Sequence, residues 1–243
     1  QGVLAGVDRA FALHITPNLP SGMAATRPGA IMASADEFQV TVIGSGGHAS
    51  TPHFCVDPIP PACAMVGAFQ TMIGREIDAF APGLVSVTHI QAGTTHNVIP
   101  ETAWFEGTIR AVAESTRTRI HERLERTAHA IAAAHDCRAE VRIEPGYPVT
   151  VNDAGQAAAV ATAARKVLGP DRYVELPHPV MGAEDFSYIL QGVPGCMALL
   201  GACPTDIADP STAAPCHSNR MRIDESALRT GVALHLAAVL VPA

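Results

Sequence analysis

The chain has 243 residues, of which 48% are hydrophobic and 16% are charged. This length fits one large domain or two modest ones, and the composition predicts a sizeable core and excludes a disordered chain. The net charge of −7 and the lack of a basic tract argue against a nucleic-acid-binding protein. The longest apolar stretches, such as residues 234–241, are too short to span a bilayer, so no membrane association is expected.

The N-terminus and the cysteines indicate the origin and compartment of the protein. The first six residues lack the charged region and apolar run of a signal peptide. They also lack an initial Met, so we expect that residues upstream were removed or left out. None of the six cysteines forms a C-x-x-C pair, and a chain of this size does not need disulfides. We therefore expect mostly buried free thiols in a cytoplasmic protein.

The first part of the chain predicts a strand followed by a complete small domain. A buried strand at residues 10–15 ends at Thr16-Pro17. The next predicted strands lie at 37–43, 84–90, 103–109 and 138–143, and the helices lie at 60–77 and from a capping Ser115 through Ile131. The order strand, helix, strand, strand, helix, strand is the ferredoxin-like α+β pattern. Residues 36–144 are therefore predicted to be a domain inserted between residues 1–35 and 145–243.

The remainder predicts an α/β layer. Its elements are a helix at 153–168, a short helix at 182–190, a buried strand at 196–200 and a terminal amphipathic helix at 224–240. Together with the first strand these elements form an α/β arrangement, but they provide few strands for a complete doubly wound sheet. We infer that a segment upstream supplies the others.

Two histidines are candidate metal ligands. His14 ends the first strand, where active-site groups of α/β proteins gather, although a core histidine bonded to a backbone carbonyl is the commoner explanation for this residue alone. His217 lies in a polar loop before the last helix and is suited to be a second ligand. Glu184 and Asp185 are paired carboxylates at a predicted helix start, where capping and the helix dipole explain them well.

Three further residues are candidates for substrate contacts. His48 stands on a tight Gly-Gly loop after a strand and is suited to donate a hydrogen bond to a developing oxyanion. Asn97 links two strands and offers both a donor and an acceptor, while Arg110 ends the next strand and is suited to clamp a carboxylate. The alternatives are a solvated hairpin histidine, a turn asparagine and a surface arginine.

Other histidines are weaker candidates. His121, Glu125 and His129 share one helix face with zinc-like spacing, but three neighbouring arginines would repel a cation and pair with the glutamates. His235 lies on an apolar helix, where a satisfied core residue is more common than a ligand.

The order of the motifs resembles one family. The motifs are Ala-Leu-His14-Ile-Thr-Pro, Gly-Gly-His48-Ala-Ser-Thr-Pro-His53, His96-Asn97-Val-Ile-Pro, Gly-Thr-Ile-Arg110, Met-Gly-Ala-Glu184-Asp185-Phe-Ser and a late His217. Over essentially the whole chain they are similar to the aminoacylases, hippurate hydrolases and glutamate carboxypeptidases. The nearest branch by this resemblance contains hippurate hydrolase and the hydrolases of indole-acetyl amino-acid conjugates.

The resemblance implies a metal-dependent amidohydrolase of N-acyl amino acids. It implies a catalytic α/β domain with two divalent ions, zinc or manganese, interrupted by a ferredoxin-like lid and dimerisation domain. It assigns His14 and His217 to the metals, and Asn97 and Arg110 to the substrate carboxylate. His48 is expected to reach the neighbouring subunit's site in a homodimer and to polarise the scissile carbonyl.

This sequence departs from the family in one respect. The family's Glu-Glu pair, with the general base, and its Cys-Gly-His-Asp-type metal loop precede the region of His14, and neither is found here. Two histidines cannot hold two metals, so we expect the chain alone to be inactive. The alternatives are a non-catalytic module that dimerises or binds a carboxylate ligand, and a dipeptidase or carboxypeptidase.

Overall fold

The computed structural model describes residues 2–240, which contain twelve strands and five α-helices. The strands are β1 (Ala10–Thr16), β2 (Ala24–Thr26), β3 (Gly29–Met32), β4 (Asp36–Ile43), β5 (Gly47–His48), β6 (Gly83–Ala92), β7 (Val98–Ile99), β8 (Thr102–Ala111), β9 (Arg138–Pro145), β10 (Thr150–Asn152), β11 (Tyr173–Glu175) and β12 (Gly195–Gly201). The helices are α1 (Ile59–Glu76), α2 (Glu114–Ala134), α3 (Ala154–Leu168), α4 (Phe186–Leu190) and α5 (Ala227–Leu240). None of these helices has the length and apolar composition needed to cross a bilayer.

The described chain forms two compact units. Unit 1 contains residues 2–32, 150–180 and 184–240, and unit 2 contains Ala33–Val149 with Met181–Ala183. Unit 2 thus begins three residues before the predicted domain of residues 36–144 and ends five residues after it. Its proposed role as a lid and dimerisation domain remains a prediction.

Unit 1 is built on a four-stranded sheet in the order β1-β12-β2-β11. β1 and β12 run parallel, β12 and β2 antiparallel, and β2 and β11 parallel. Helices α3 and α5 pack on this sheet through small side chains, which let helix and sheet approach closely: Ala164 and Ala227 lie in one core cluster with Leu200 and Leu234. Strands β3 and β10 form a separate antiparallel pair.

One side of unit 1 exposes apolar surface. Within residues 2–240, β1 pairs only with β12, so its other edge is open, and all seven of its residues are half-buried. Helix α5 buries Gly231 and Leu234 but exposes a second apolar stripe that includes Val232 and Leu236. A helix that is apolar on two sides is typical of a helix covered on both.

Unit 2 is a four-stranded antiparallel sheet in the order β6-β8-β4-β9, with α1 and α2 packed on it. Its core contains three aromatic rings, Phe38, Phe69 and Phe105, whose centroids lie 5.7–6.4 Å apart in tilted or edge-on contacts. The order of elements from β4 to β9 is strand, helix, strand, strand, helix, strand, if the two-residue strands β5 and β7 are set aside. An irregularity in β6 lies opposite Gly107, whose missing Cβ would stand 1.8 Å from the Ser86 carbonyl oxygen.

A buried ion pair ties together the two ends of unit 2. The carboxylate of Asp36 accepts hydrogen bonds from Arg117 Nε at 2.8 Å, from His121 Nε2 at 2.7 Å and from the main-chain N–H of Gly146 at 3.0 Å. Burial alone raises the pKa of Asp36, but the hydrogen bonds from His121 and Arg117 outweigh it and hold the pKa well below its usual range. Glu114 Oε1 accepts the N–H of Val149 at 2.8 Å. The start of α2 therefore binds both segments through which the chain enters and leaves the unit.

The same network gives His121, one of the residues with zinc-like spacing on α2, a different role. The imidazole of His121 is bonded to Asp36, while Glu125 and His129 are exposed. Across residues 2–240, no group of three or more His, Cys, Asp and Glu side chains is placed to share a metal ion.

Several predictions of element boundaries were wrong. Ser115 does not cap α2, which begins one residue earlier, because Glu114 binds main-chain and Arg117 N–H groups. Helix α4 begins at Phe186 and not at Gly182, whose carbonyl accepts the N–H of Ala33 at 2.9 Å. Helix α5 begins at Ala227 and not at residue 224, because Asp224 forms a turn in which its carboxylate accepts the Ser226 N–H.

Two predictions of burial were also wrong. All six cysteines are free, but only Cys196 and Cys203 are buried, whereas Cys63 is exposed and the other three are half-buried. Burial raises the pKa of the Cys196 thiol to about 11. His235 is exposed, not in the core, and its ring meets Phe11 edge-on at 5.1 Å.

We predict that Asp36→Asn lowers the free energy of unfolding by about 3 kcal/mol at neutral pH, because it leaves Arg117 and His121 without their buried anion. Urea unfolding of the parent and the variant measures this difference. The folded-state pKa of Asp36 lies below that of an unfolded carboxyl, so its contribution is present above about pH 4 and fades as the pH falls. The difference should therefore shrink in acid.

The matched control is Glu140→Gln, since Glu140 pairs with Arg138 on the exposed surface of the same unit. This change should cost less than about 1 kcal/mol. Equal losses for the two variants would contradict the role assigned to Asp36.

Candidate functional site

His14 is oriented by the main chain of its own strand. In the parallel pairing of β1 with β12 it lies opposite Leu199. Its Nδ1 lies 2.7 Å from the carbonyl oxygen of Ile15, and since a carbonyl only accepts, Nδ1 carries the proton. The Nε2 atom is therefore left with a free lone pair, which is the form of histidine that binds metal ions.

The carboxylate of Glu184 faces that free nitrogen. Glu184 Oε2 lies 3.9 Å from His14 Nε2, and the two side chains are 23% and 36% exposed. Burial raises the pKa of Glu184, the hydrogen bond with Asp185 raises it further, and a positive charge on His14, present only in the protonated ring, opposes the rise. The site thus brings together an imidazole, which can bind a metal ion in its neutral form, and a half-buried carboxylate.

The sequence explains Glu184 and Asp185 mainly by capping. Asp185 at the start of α4 makes no side-chain capping bond, whereas the Glu184 carboxylate accepts the main-chain N–H of Phe186 and also faces His14. The signal that could have identified Glu184 was its motif, Met-Gly-Ala-Glu-Asp-Phe-Ser, combined with a histidine at the end of a buried strand.

His217 lies in a loop that reaches the end of β1. The thiol of its neighbour Cys216 contacts the Ile15 carbonyl oxygen at 3.6 Å, the same oxygen that accepts from His14. His217 itself is exposed and adopts a positive φ of 70°. This left-handed conformation is unfavourable for a residue with a Cβ and is found more often at functional sites.

These groups fit a divalent metal in kind but not in number. Zinc binds imidazole nitrogen and carboxylate oxygen at about 2.0–2.2 Å, and two such bonds can span the separation of His14 and Glu184. A zinc site normally needs four ligands. The described residues contain no group of three candidate ligands.

In unit 2, the structure brings His48 and Asn97 together. Strands β5 and β7 pair with His48 opposite Val98, and the Ala49 N–H donates to the Asn97 carbonyl at 3.1 Å. Gly47 is required by close packing, because a Cβ there would stand 2.6 Å from Cys55 Sγ. Both His48 and Asn97 are exposed, so their side chains are accessible to a ligand.

His48 has the opposite tautomer to His14. Its Nδ1 accepts the main-chain N–H of Ser50 at 3.1 Å and lies 2.8 Å from the Ser50 hydroxyl. A main-chain N–H only donates, so Nδ1 is unprotonated and Nε2 of the neutral ring carries the proton. The imidazole therefore presents an outward N–H donor, as a group that stabilises an oxyanion must.

Arg110 is not brought to the same place. It lies near the end of β8, eight residues beyond Thr102, whereas the β5–β7 pair precedes the start of that strand. At about 3.3 Å per residue, this separation is roughly 26 Å along the strand. One copy of unit 2 therefore cannot use His48, Asn97 and Arg110 on one small substrate.

The sequence itself assigns the chain to a family. Residues 1–241 match Peptidase family M20/M25/M40. The chain belongs to this family. The resemblance is thereby confirmed at the level of the M20 amidohydrolases and peptidases, and the mixed α/β content agrees with the M20 fold.

Curated relatives and a solved M20 structure are similar to this chain over part of their length. Thermostable carboxypeptidase 2 of Saccharolobus solfataricus is 37% identical over 96% of this chain and 58% of its own length. IAA-amino acid hydrolase ILR1-like 2 of Arabidopsis thaliana is 34% identical over 97% of this chain and 53% of its own. The YXEP protein of Bacillus subtilis, described as a dinuclear metal-binding M20 peptidase, has a TM-score of 0.78 at 30% identity, covering 99% of this chain and 59% of that one. This chain therefore spans little more than half the length of these relatives.

We predict that His217→Gly leaves the free energy of unfolding unchanged or raises it by up to about 1 kcal/mol, because glycine adopts positive φ without the left-handed penalty. Urea unfolding measures the change. Asp136→Gly is the matched control, since Asp136 has a φ of 57° after α2. A loss of more than about 1 kcal/mol in His217→Gly alone would show that the imidazole stabilises the fold and is not retained for binding.

Proposed function

We propose that this chain is part of a metal-dependent M20 amidohydrolase that cleaves the amide bond of N-acyl amino acids. The observation that carries the proposal is the pair of His14 Nε2 and Glu184 Oε2, 3.9 Å apart near the carboxyl end of β1. His14 and His217 are the proposed metal ligands, and Glu184 is an additional candidate.

The chemistry follows from the properties of each group. Two bound divalent ions, zinc or manganese, would lower the pKa of a shared water and polarise the amide carbonyl. His48 would donate its Nε2 proton in a hydrogen bond to the carbonyl oxygen as negative charge develops there. Asn97 and Arg110 would bind the carboxylate of the amino-acid part, Arg110 through the two parallel N–H groups of its guanidinium.

The distance between the proposed substrate-binding residues of unit 2 supports a site shared between two copies of the chain. His48 and Asn97 lie at one end of the sheet and Arg110 at the other, so a single site that uses all three needs two subunits. The edge strand β6 exposes Leu84 and Ile90 and is available for pairing with a second copy. We therefore propose a homodimer through unit 2.

The exposed apolar surface of unit 1 supports the proposal that additional polypeptide contributes to the metal site. The open edge of β1 carries His14, and the exposed stripe of α5 adjoins the same strand. The relatives contain additional polypeptide that this chain does not match. We propose that the corresponding polypeptide covers this side and supplies the remaining metal ligands and the general base, without which the chain is inactive.

The substrate class is tested directly by assay. The full-length natural protein, loaded with zinc or manganese, should release amino acid from hippurate and acetyl-amino acids faster than from dipeptides. Faster cleavage of dipeptides would favour the carboxypeptidase alternative. No turnover by a protein that holds two metals per subunit would contradict the enzyme proposal and favour a carboxylate-binding module.

The role of His48 gives a sharper prediction. His48→Ala should lower kcat by roughly 10²–10³-fold, as the loss of one oxyanion donor does, while the metal content stays unchanged. Elemental analysis and the same assay measure both quantities. If the variant loses metal together with activity, the assignment of His48 as an oxyanion donor that does not bind metal is wrong. His53→Ala is the control, because His53 is an exposed histidine five residues away.

Mixing variants tests the shared site. In the full-length protein, His14→Ala and His48→Ala should each be inactive alone, but they should regain about a quarter of the parental activity when unfolded and refolded together in equal amounts. Half of the resulting dimers are mixed, and each mixed dimer has one site without a lesion. Two copies of the same variant, refolded in the same way, provide the control. Recovery of no activity from the mixture would contradict a site built from two subunits.

A further inference from the structure

The imidazole of His48 is held by one residue. Within residues 2–240, its hydrogen bonds are the two to Ser50, one from the main-chain N–H at 3.1 Å and one with the hydroxyl Oγ at 2.8 Å. His48 and Ser50 are both exposed, and no aromatic ring in the described chain packs on the imidazole. The described contacts that orient this side chain are therefore its hydrogen bonds to Ser50.

The main-chain N–H of Ser50 selects one tautomer of His48, and the hydroxyl, which can donate or accept, adds a second bond to the same nitrogen. The Ser50 N–H must donate, so a proton on Nδ1 would set two donors against each other. With the Nδ1 lone pair facing Ser50, the hydroxyl also donates to it, and the ring proton stays on Nε2. The hydroxyl bond is the shorter of the two, and it is the one that depends on the side chain of residue 50.

We propose that Ser50 is a positioning residue that keeps His48 in the Nε2–H tautomer and aims its N–H at the substrate carbonyl. The effect on turnover rests on the proposed function, whereas the effect on the tautomer does not. Serine suits this position because its short side chain reaches back two residues to Nδ1 without leaving the loop.

The first test uses nitrogen NMR of the chain labelled with ¹⁵N-histidine. The His48 signals are identified by their loss in His48→Ala, and the parent should show an unprotonated Nδ1 and a protonated Nε2. Ser50→Ala removes the hydroxyl but keeps the main-chain N–H, so the Nδ1–H population of His48 should increase measurably. Ser50→Thr keeps a hydroxyl and should restore the parental spectrum.

The second test uses turnover of the full-length protein. Ser50→Ala should lower kcat about tenfold, less than the roughly 10²–10³-fold loss on removing a whole oxyanion donor, with little change in KM. Ser50→Thr should recover most of this loss. Ser115→Ala, the same chemical change at an exposed position of unit 2, should alter neither the His48 spectrum nor kcat.

The two tests fail separately. A His48 spectrum that is unchanged in Ser50→Ala, or a parent with the proton on Nδ1, overturns the proposal whatever the activity. An unchanged kcat in Ser50→Ala, while His48→Ala is inactive, overturns the positioning role. If the full-length protein hydrolyses none of the substrates, the proposed function fails, and the spectrum still decides whether Ser50 controls the tautomer.

Discussion

The pairing of β1 with β12 is the constraint on which the candidate metal site depends. It joins the first strand of the chain to one that begins at Gly195, so unit 1 is assembled from stretches far apart in sequence. The pairing holds Ile15 so that its carbonyl oxygen accepts from His14 and contacts the thiol of Cys216. One backbone oxygen thus orients the first candidate ligand and anchors the loop of the second.

His14 and His48 are held in opposite tautomers by hydrogen bonds at Nδ1. In His14, Nδ1 donates to a backbone carbonyl, which leaves a lone pair on Nε2. In His48, Nδ1 accepts from a backbone N–H, which leaves a proton on Nε2. The first arrangement suits a metal ligand and the second suits a hydrogen-bond donor to an oxyanion. The groups that hydrogen-bond each Nδ1, a main-chain carbonyl for His14 and the N–H and hydroxyl of Ser50 for His48, therefore distinguish two otherwise identical imidazoles.

Hydrophobic periodicity was enough to locate the long elements, because their buried faces are continuous. The positions of β4, β8 and α1 could be predicted to within one or two residues for this reason. Short strands such as β2 and β11 have only three residues, too few to display a period, and were missed. The start of α4 was misplaced because the distant residue Ala33 binds Gly182. The start of α5 was misplaced because Asp224 forms a turn with Ser226 and also accepts a hydrogen bond from the distant Ser21 hydroxyl.

For the candidate site, sequence order suggested which residues to consider but not which of them meet. The motif around Glu184 was visible, yet only the fold places its carboxylate against His14. Likewise, Asn97 and Arg110 are thirteen residues apart in sequence, and only the direction of β8 separates them by most of a strand's length. These distances depend on strand pairing between remote segments of the chain. Local patterns in a single sequence do not reveal that pairing.

The candidate site is incomplete in two ways: unit 1 has too few metal ligands, and unit 2 holds its proposed substrate-binding groups far apart. Unit 1 lacks ligands: its donors are correct in kind, but a pair of them does not make a metal cage. Under the proposed function, further polypeptide covers the open edge of β1 beside His14 and provides the ligands that this unit does not. Unit 2 contains all three side chains that its proposed role needs, but it holds His48 and Asn97 at one end of its sheet and Arg110 at the other. Additional polypeptide would not shorten β8, and under the proposed function a second copy of the chain brings His48 to the substrate that Arg110 binds.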